Sequence, residues 1–545
     1  MIQGHHFSLS SFRRILTGLS ALFIFSASLG AATWYVDGNA RGADNGTSWA
    51  NAWQSLGSMR GLLPGDTVYI SGGPSGSTQI YDMDANGRTY SEFTYLSGFK
   101  KGNPGNPITY QIGQDNAHNG TAIFKTTKGG NFIVSPSYVN IIGDAGDGLK
   151  HFSTSGYSAL ISTTDSTEAR VAYFNLGEIN RIGTINANAG KTITGFELDH
   201  IYAKIKDMKG STAIQVNSTG TTWDDNVIHH CTILLPNNGN GMGVDGIAGG
   251  GTGLTIHSNI ISGYVTSYVG GQHQDGWQGL GASYLKIYNN TFIDIANYPI
   301  FAKPLYGDFI HVRVYNNVMR LTSPGIQASA PPQGIAFGVG SATVLDSAYL
   351  GRWPVFEDVV IANNTVVDYG TQHGSINLRN TDPKTQFATF VNCVVSNNVY
   401  INSGGIGLDS SVVAVGNVGI TSADAANLFV SYANLSPTND LRLKATASAL
   451  IGQGSDLSSF FSIDYAGTDR PSGRAWDVGA YQFNTDDIAP IFTLQPTSQT
   501  TQTGTTLSLT VLASGSPAPS YQWLKDGAAI SGATSATLTL SSVTP

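Results

Sequence analysis

The sequence predicts an all-β chain: a right-handed parallel β-helix solenoid with an N-terminal capping helix, followed by an incomplete β-sandwich. Three observations carry this reading. First, a phrase of alternating apolar residues ending in Asn recurs at Leu254-Thr-Ile-His-Ser-Asn259, Leu285-Lys-Ile-Tyr-Asn-Asn290, Val312-Arg-Val-Tyr-Asn-Asn317, Val359-Val-Ile-Ala-Asn-Asn364 and Val394-Val-Ser-Asn-Asn398. With weaker copies ending at Ile201 and Cys231, the intervals are 30, 28, 31, 27, 47 and 34 residues. Self-similarity at a period of about 20–50 residues marks stacked repeats. Second, no 3.6-residue apolar pattern separates the copies, so each repeat is a coil of strands and turns. Third, 66 of 545 residues are Gly and only 12% are charged, against about 25% charged in an average globular protein.

Coils stacked at about 4.8 Å place Leu285 and Ile287, Val312 and Val314, and Val359 and Ile361 in inward ladders. The Asn falls where each strand turns. Its amide can bond the backbone at the bend and the Asn of the next coil, and Asn tolerates the left-handed conformation. The 47-residue interval between Asn317 and Asn364 marks an extra-long loop or a degenerate coil over 321–356.

In chain order, residues 1–32 read as a secretory signal. Arg13 and Arg14 precede the apolar run Ile15 to Leu29, and Gly30-Ala31-Ala32 offers small residues for cleavage. The run is too short to favour a membrane span and no other stretch approaches one, so a secreted or cell-surface location is expected. The β-helix occupies 33–483. Trp34-Tyr-Val-Asp-Gly38 gives a strand and a turn, and Trp53, Leu56, Met59, Arg60 and Leu63 have helical spacing that Pro64-Gly65-Asp66 ends. A helix there shields the open end of the solenoid. The acidic loop with Asp37 and Asp44 reads as turn chemistry, with calcium binding the alternative. Cys231 and Cys393 fall five coils apart, roughly 24 Å. That exceeds the about 7 Å a disulfide spans, so both are expected as buried free thiols. Residues 401–483 close the solenoid with irregular loops, and 484–490 form a linker. The net charge of −8 and the lack of a basic run give no nucleic-acid footprint. A monomer is expected.

Two stretches carry resemblances. Trp34-Tyr-Val-Asp-Gly38 and Leu63-Pro-Gly-Asp-Thr-Val-Tyr-Ile70, with Asp440-Leu-Arg-Leu-Lys-Ala-Thr-Ala-Ser-Ala-Leu450, Asp464, Arg470-Pro471 and Asp477-Val-Gly-Ala-Tyr481, resemble the two ends of secreted pectate-lyase-like β-helix proteins. The resemblance implies a polysaccharide lyase or glycoside hydrolase; some members of this superfamily only bind. Residues 491–545 resemble a bacterial immunoglobulin-like module through Leu507-Ser-Leu-Thr-Val511, Tyr521-Gln-Trp-Leu-Lys-Asp-Gly527 and Ala536-Thr-Leu-Thr-Leu540. Trp523 would be its core tryptophan. The module reads as truncated at Pro545, before its last two strands.

The candidate site lies on another strand of the coil. Aligning Gly246-Ile247 with Gly276-Trp277 puts Asp245 and Asp275 in one file on adjacent coils, about 5 Å apart. The same alignment puts Lys303 and Arg379 in a neighbouring file and lets Gln278 and Asn377 share one. His273-Gln-Asp-Gly-Trp-Gln278 concentrates polar and aromatic groups beside them. Two stacked carboxylates need a neutralising partner or a shared proton, which leaves two chemistries. In the first, Asp245 and Asp275 bind Ca²⁺, and Lys303 or His273 removes the C5 proton of a uronate, with Gln278, Trp277 and Arg379 binding the polysaccharide. That is a lyase acting on an acidic polysaccharide by β-elimination. In the second, one Asp is a general acid and the other a base or nucleophile, as in a glycoside hydrolase. A structural alternative stands beside each: Asp-Gly is a common turn, His229 and His230 stand in a strand with one of them a ladder residue, and Arg379 is a solvated face. The whole rod would then be a non-catalytic carbohydrate-binding or adhesion protein. The aromatic insertion over 76–104, with Tyr81, Tyr90, Phe93, Tyr95 and Phe99, either walls a sugar cleft or packs on the barrel.

Overall fold

The computed structural model describes residues 30–84, 101–163, 166–186, 192–206, 212–216, 222–236, 244–263, 274–304, 307–324, 333–338, 354–379, 388–484, 488–494, 496, 502–516, 520–525 and 528–541. The repeated phrase builds one parallel sheet, which runs from Thr33–Val36 through Thr67–Ile70 and Ile108–Ile112 to Val413–Val415. Leu198, Ile228, Ile256, Ile287, Val314, Ile361 and Val395 stand one above the next in register. All are buried, so the weak copies ending at Ile201 and Cys231 are true repeats. Each coil adds two more strands. A second column contains Thr232–Leu235, Ile260–Gly263 and Thr291–Ile293, and a third contains Asp245–Gly249, Asp275–Gly279 and Tyr298–Ala302. The two columns join where the 14-residue strand Thr365–Leu378 runs through both. The molecule is a parallel β-helix with three strands per coil.

The paired asparagines divide two tasks. The second of each pair points inward. The Asn259 side chain donates to Asn290 Oδ1 at 3.0 Å, Asn290 to Asn317 at 3.0 Å, Asn317 to Asn364 at 2.9 Å, Asn364 to Asn398 at 3.0 Å and Asn398 to Asn417 at 2.8 Å. Each Oδ1 also accepts the backbone N–H of the same neighbour, and each Nδ2 donates to a strand carbonyl such as Ile256 or Val314. The buried turn therefore leaves no donor of these amides unpaired. The first of each pair takes the left-handed conformation, with φ of 54° at Asn289, 53° at Asn316, 52° at Asn363 and 57° at Asn397. In the weaker copies His200 and His230 hold that position, and Ser258 holds it in the copy ending at Asn259.

These left-handed asparagines anchor the end of the chain. After the helix Ser422–Leu428 and the antiparallel pair Phe429–Ser431 and Asp440–Leu443, residues 455–480 run back across the coils. Asn316 Nδ2 donates to the Ile463 carbonyl at 2.7 Å, Asn363 to Asp477 and Gly479 at 2.9 and 3.0 Å, and Asn397 to Ser455 at 2.9 Å. Arg470, buried, binds Asn316 Oδ1 and the carbonyls of Gly479 and Ala480. Burial lowers its pKa to about 10. Asp464 and Asp477 accept the backbone N–H groups of Thr468, Gln482, Gly452 and Phe483. The closing region is thus a strap fixed by buried polar groups.

Several expectations change. The capping helix is one 3₁₀ turn, Leu56–Ser58. Ser55, Gly57, Ser58 and Gly61 disfavour a longer helix, and the lid is made instead by Trp53, which is buried and stacked on Trp34 at 5.1 Å. The 47-residue interval is a single coil, because Phe309–Tyr315 pairs directly with Val355–Ala362. Its extra residues fall on either side of Ile335–Phe337, at 325–332 and 339–353, outside the described residues. Tyr81 packs into the core, while Tyr90, Phe93, Tyr95 and Phe99 lie outside the described residues, as does 1–29. Among the described residues no helix is long and apolar enough to cross a membrane. Cys231 and Cys393 are buried and free. The C-terminal segment forms antiparallel pairs, Ile488–Leu494 with Leu512–Ser516 and Leu507–Thr510 with Thr537–Leu540, and Trp523 is half-buried there.

Candidate functional site

The third column positions the site. Ile247 pairs with Trp277 and Ala248 with Gln278, so Asp245 and Asp275 do fall in one file. Above them Asp275 pairs with Tyr298, Gln278 with Phe301 and Gly279 with Ala302. Phe301 continues to Ala336 and Asn377, and Ala302 to Phe337 and Leu378. Gln278 and Asn377 therefore share a file, and Lys303 and Arg379, each one residue further, share the next, two coils or about 10 Å apart.

Side-chain direction changes the roles. Asp245 Oδ1 accepts the Asp275 N–H at 2.9 Å. Asp275 Oδ1 accepts the Tyr298 N–H at 3.1 Å, and its Oδ2 accepts Gln278 Nε2 at 3.0 Å. Each carboxylate caps the start of a strand on the next coil. The Asp-Gly steps are not turns but corners opening strands: a Cβ on Gly246 would lie 2.5 Å from the Gly276 carbonyl, and one on Gly276 2.5 Å from that of Pro299. Asp275 is 0% exposed, so it does not face substrate as acid, base or nucleophile. Ca²⁺ takes about 6–8 oxygen ligands. With both Asp275 oxygens occupied by protein donors, the described part of this site does not fit the ion, and no step is derived through it. Trp277 is also 0% exposed and packs edge-on to Phe309 at 6.4 Å in the core. It is a core residue and offers no face to a sugar. His273 lies outside the described residues.

Three of the expected residues do stand outward. Gln278 is half-buried and held by Asp275. Arg379 is exposed and lies against Gly407 of the following coil. Lys303 is half-buried. Among the described residues its ammonium has no hydrogen-bond or ion-pair partner. Burial lowers its pKa and the charge of Asp275 works against that shift.

Tyr298, Phe301 and Gln333, not singled out by sequence, complete this face beside Asn377. Tyr298 and Phe301 occupy the register positions of Asp275 and Gln278 one coil on, and their rings stack at 4.5 Å. Burial, then the charge of Asp275, pushes the Tyr298 phenol up to about 12. Gln333 Nε2 donates to the Tyr298 hydroxyl at 3.3 Å, and Asn377 Nδ2 to Gln333 Oε1 at 2.7 Å. Asn377 Oδ1 is buried with no hydrogen-bond partner. The signal was present: the alignment through Gly276 reaches Tyr298 and Phe301 once it is carried onto the next coil.

The chain is thus a parallel β-helix protein whose outer third column carries a row of amides, rings and cations. Among solved structures it is similar to the pectate lyase Pel9A, with 16% identity over 84% of this chain and 97% of that one and a TM-score of 0.39. It is similar to a rhamnogalacturonan lyase, with 16% identity over 76% and 97% and a TM-score of 0.42. An alginate lyase from Paenibacillus sp. str. FPU-7 shows 15% identity over 70% and 99% and a TM-score of 0.33. An immunoglobulin-domain family model matches residues 489–545. No curated protein matches the chain.

Proposed function

We propose that the chain is a polysaccharide lyase that cleaves a uronate-containing polymer by β-elimination, with Lys303 as the base. The observation that carries this is Lys303 itself: a half-buried amine, shifted toward its neutral form by burial and without a partner among the described residues. A lysine that only served solubility would extend into water. A base for a proton α to a carboxylate needs a lowered pKa and a free lone pair. Neutral Lys303 takes the C5 proton, the C4–O bond breaks as the C4=C5 double bond forms, and the leaving oxygen takes a proton from solvent. Arg379, about 10 Å along the rod, matches a second carboxylate of the polymer. The Tyr298–Phe301 pair offers ring surface, and the half-buried Gln278 offers an amide for hydroxyls.

The hydrolase alternative needs two carboxylates that reach substrate, and burial of Asp275 weighs against it. The test is incubation with polyuronates and neutral glycans, following chain length and the ultraviolet absorbance of an unsaturated uronate end. Shortening of a polyuronate with rising absorbance is expected. Shortening without it makes the enzyme a hydrolase, and binding without shortening makes the rod a carbohydrate-binding protein.

A further inference from the structure

A second cluster lies on the outer edge of the first column, away from Lys303. Asp199, His229, His257, Tyr288 and Tyr315 share one register file, and His200 and His230 hold the left-handed position beside it. Ring nitrogens of His229, His230 and His257 all lie within 4.8 Å of one another. We propose that His229, His230 and His257 form a binding site for a divalent transition-metal ion, with Zn²⁺ the best match to the donors.

The contacts of His229 carry the argument. Its Nε2 is 2.9 Å from Glu197 Oε1. A carboxylate there takes the N–H, which leaves Nδ1 as a bare lone pair. That lone pair accepts the Nδ1–H of His230 at 2.7 Å, a hydrogen bond that a metal ion would replace, the rings lying at 79°. A carboxylate behind a histidine is the arrangement that orients metal-bound imidazoles. Asp199 is not needed as a ligand, since Arg170 grips it at 2.7 and 3.0 Å and His200 at 2.6 Å.

Ring stacking alone does not account for this geometry. It explains the files His229–His257–Tyr288, at 4.8 Å each, and Tyr173–His200–His230, at 4.2 and 4.9 Å. Phenyl rings would serve there equally well. It does not explain two ring nitrogens aimed at each other between the files. The location is also distinctive. At Asn316, Asn363 and Asn397 the left-handed row is covered by the strap, whereas His230 is exposed. Imidazoles suit Zn²⁺, Cu²⁺ and Ni²⁺ rather than Ca²⁺. Bonds of about 2.0–2.1 Å in a tetrahedron put the nitrogens roughly 3.4 Å apart, so the His229 and His230 nitrogens, 2.7 Å apart, move apart, His257 turns partly out of its stack and solvent completes the shell.

The test is equilibrium dialysis of the chelator-stripped chain against Zn²⁺ or Ca²⁺, with thermal unfolding of the same samples. His257→Phe keeps a ring in the stack and removes the ligand, and His230→Ala alters an exposed side chain. Because His5 and His6 can also take up zinc, uptake is read as a difference. The wild type should hold one more Zn²⁺ per chain than either variant, unfold at higher temperature with Zn²⁺ than without, and show neither effect with Ca²⁺. Equal Zn²⁺ uptake by wild type and both variants, or Ca²⁺ bound as well as Zn²⁺, overturns the site.

Discussion

At the scale of residues, direction decides more than identity. Asp275 and Trp277 stood out in the sequence as a dense polar and aromatic motif, and both are buried. Register was legible, because the Gly-Ile and Gly-Trp steps align the coils. Which groups face out was not, because the corner at Gly276 interrupts the period-two alternation that would have told it. Lys303 is half-buried in the file next to that of Gln278, and its role as base is the proposal made above. Its lowered pKa predicts that kcat/KM rises with pH on a limb below the ordinary lysine value, since only the neutral amine accepts a proton. Asp275→Asn still accepts the Tyr298 N–H but loses the charge that opposes the shift, so the limb should move to still lower pH. A pH–rate profile of both proteins checks this, and an unmoved limb separates Asp275 from Lys303. In the core, Asn317→Ala removes the acceptor of two donors of Asn290. It should cost about 2–4 kcal/mol in denaturant unfolding.

At the scale of elements, the coil was readable and the strap was not. One strand repeats its apolar alternation and its Asn about every thirty residues, so local pattern reports the stacking. The strap is held by pairs as distant as Arg470 and Asn316 or Asp477 and Asn363, which no window of sequence brings together. The resemblance marked Asp464, Arg470 and Asp477 without saying why, and their hydrogen bonds supply the reason. Arg470→Met removes a donor shared by three buried acceptors: the Gly479 carbonyl keeps Asn363 Nδ2 and the Ala480 carbonyl keeps the Tyr465 N–H, but Asn316 Oδ1 loses its partner. It should cost about 2–4 kcal/mol and expose 455–480 to limited proteolysis, while the rest of the β-helix resists. Resistance of that segment equal to wild type would show that the strap is fixed elsewhere. The cap shows the converse limit: helical spacing of Trp53, Leu56 and Met59 reports a buried face, but Gly and Ser let a single turn present it.

At the scale of the whole molecule, the rod arranges its chemistry in files parallel to its axis. That suits an extended polymer better than a small ligand, because successive coils repeat a row of contacts at about 4.8 Å. The separation of the Lys303 face from the His229 cluster follows from the coil having three strands, with the two groups on different columns. Cys231 and Cys393, buried and unpaired, predict that reductant leaves the unfolding temperature unchanged and that two thiols per chain react only after unfolding. The lyase reading stands or falls with Lys303 as the base of an elimination. The most direct measurement is the rate of unsaturated-product formation by Lys303→Ala on the best polyuronate substrate, with and without added small primary amines. The account predicts a loss of about 10²–10⁴-fold, partly restored by amines in proportion to their free-base concentration. Full activity of Lys303→Ala would contradict it.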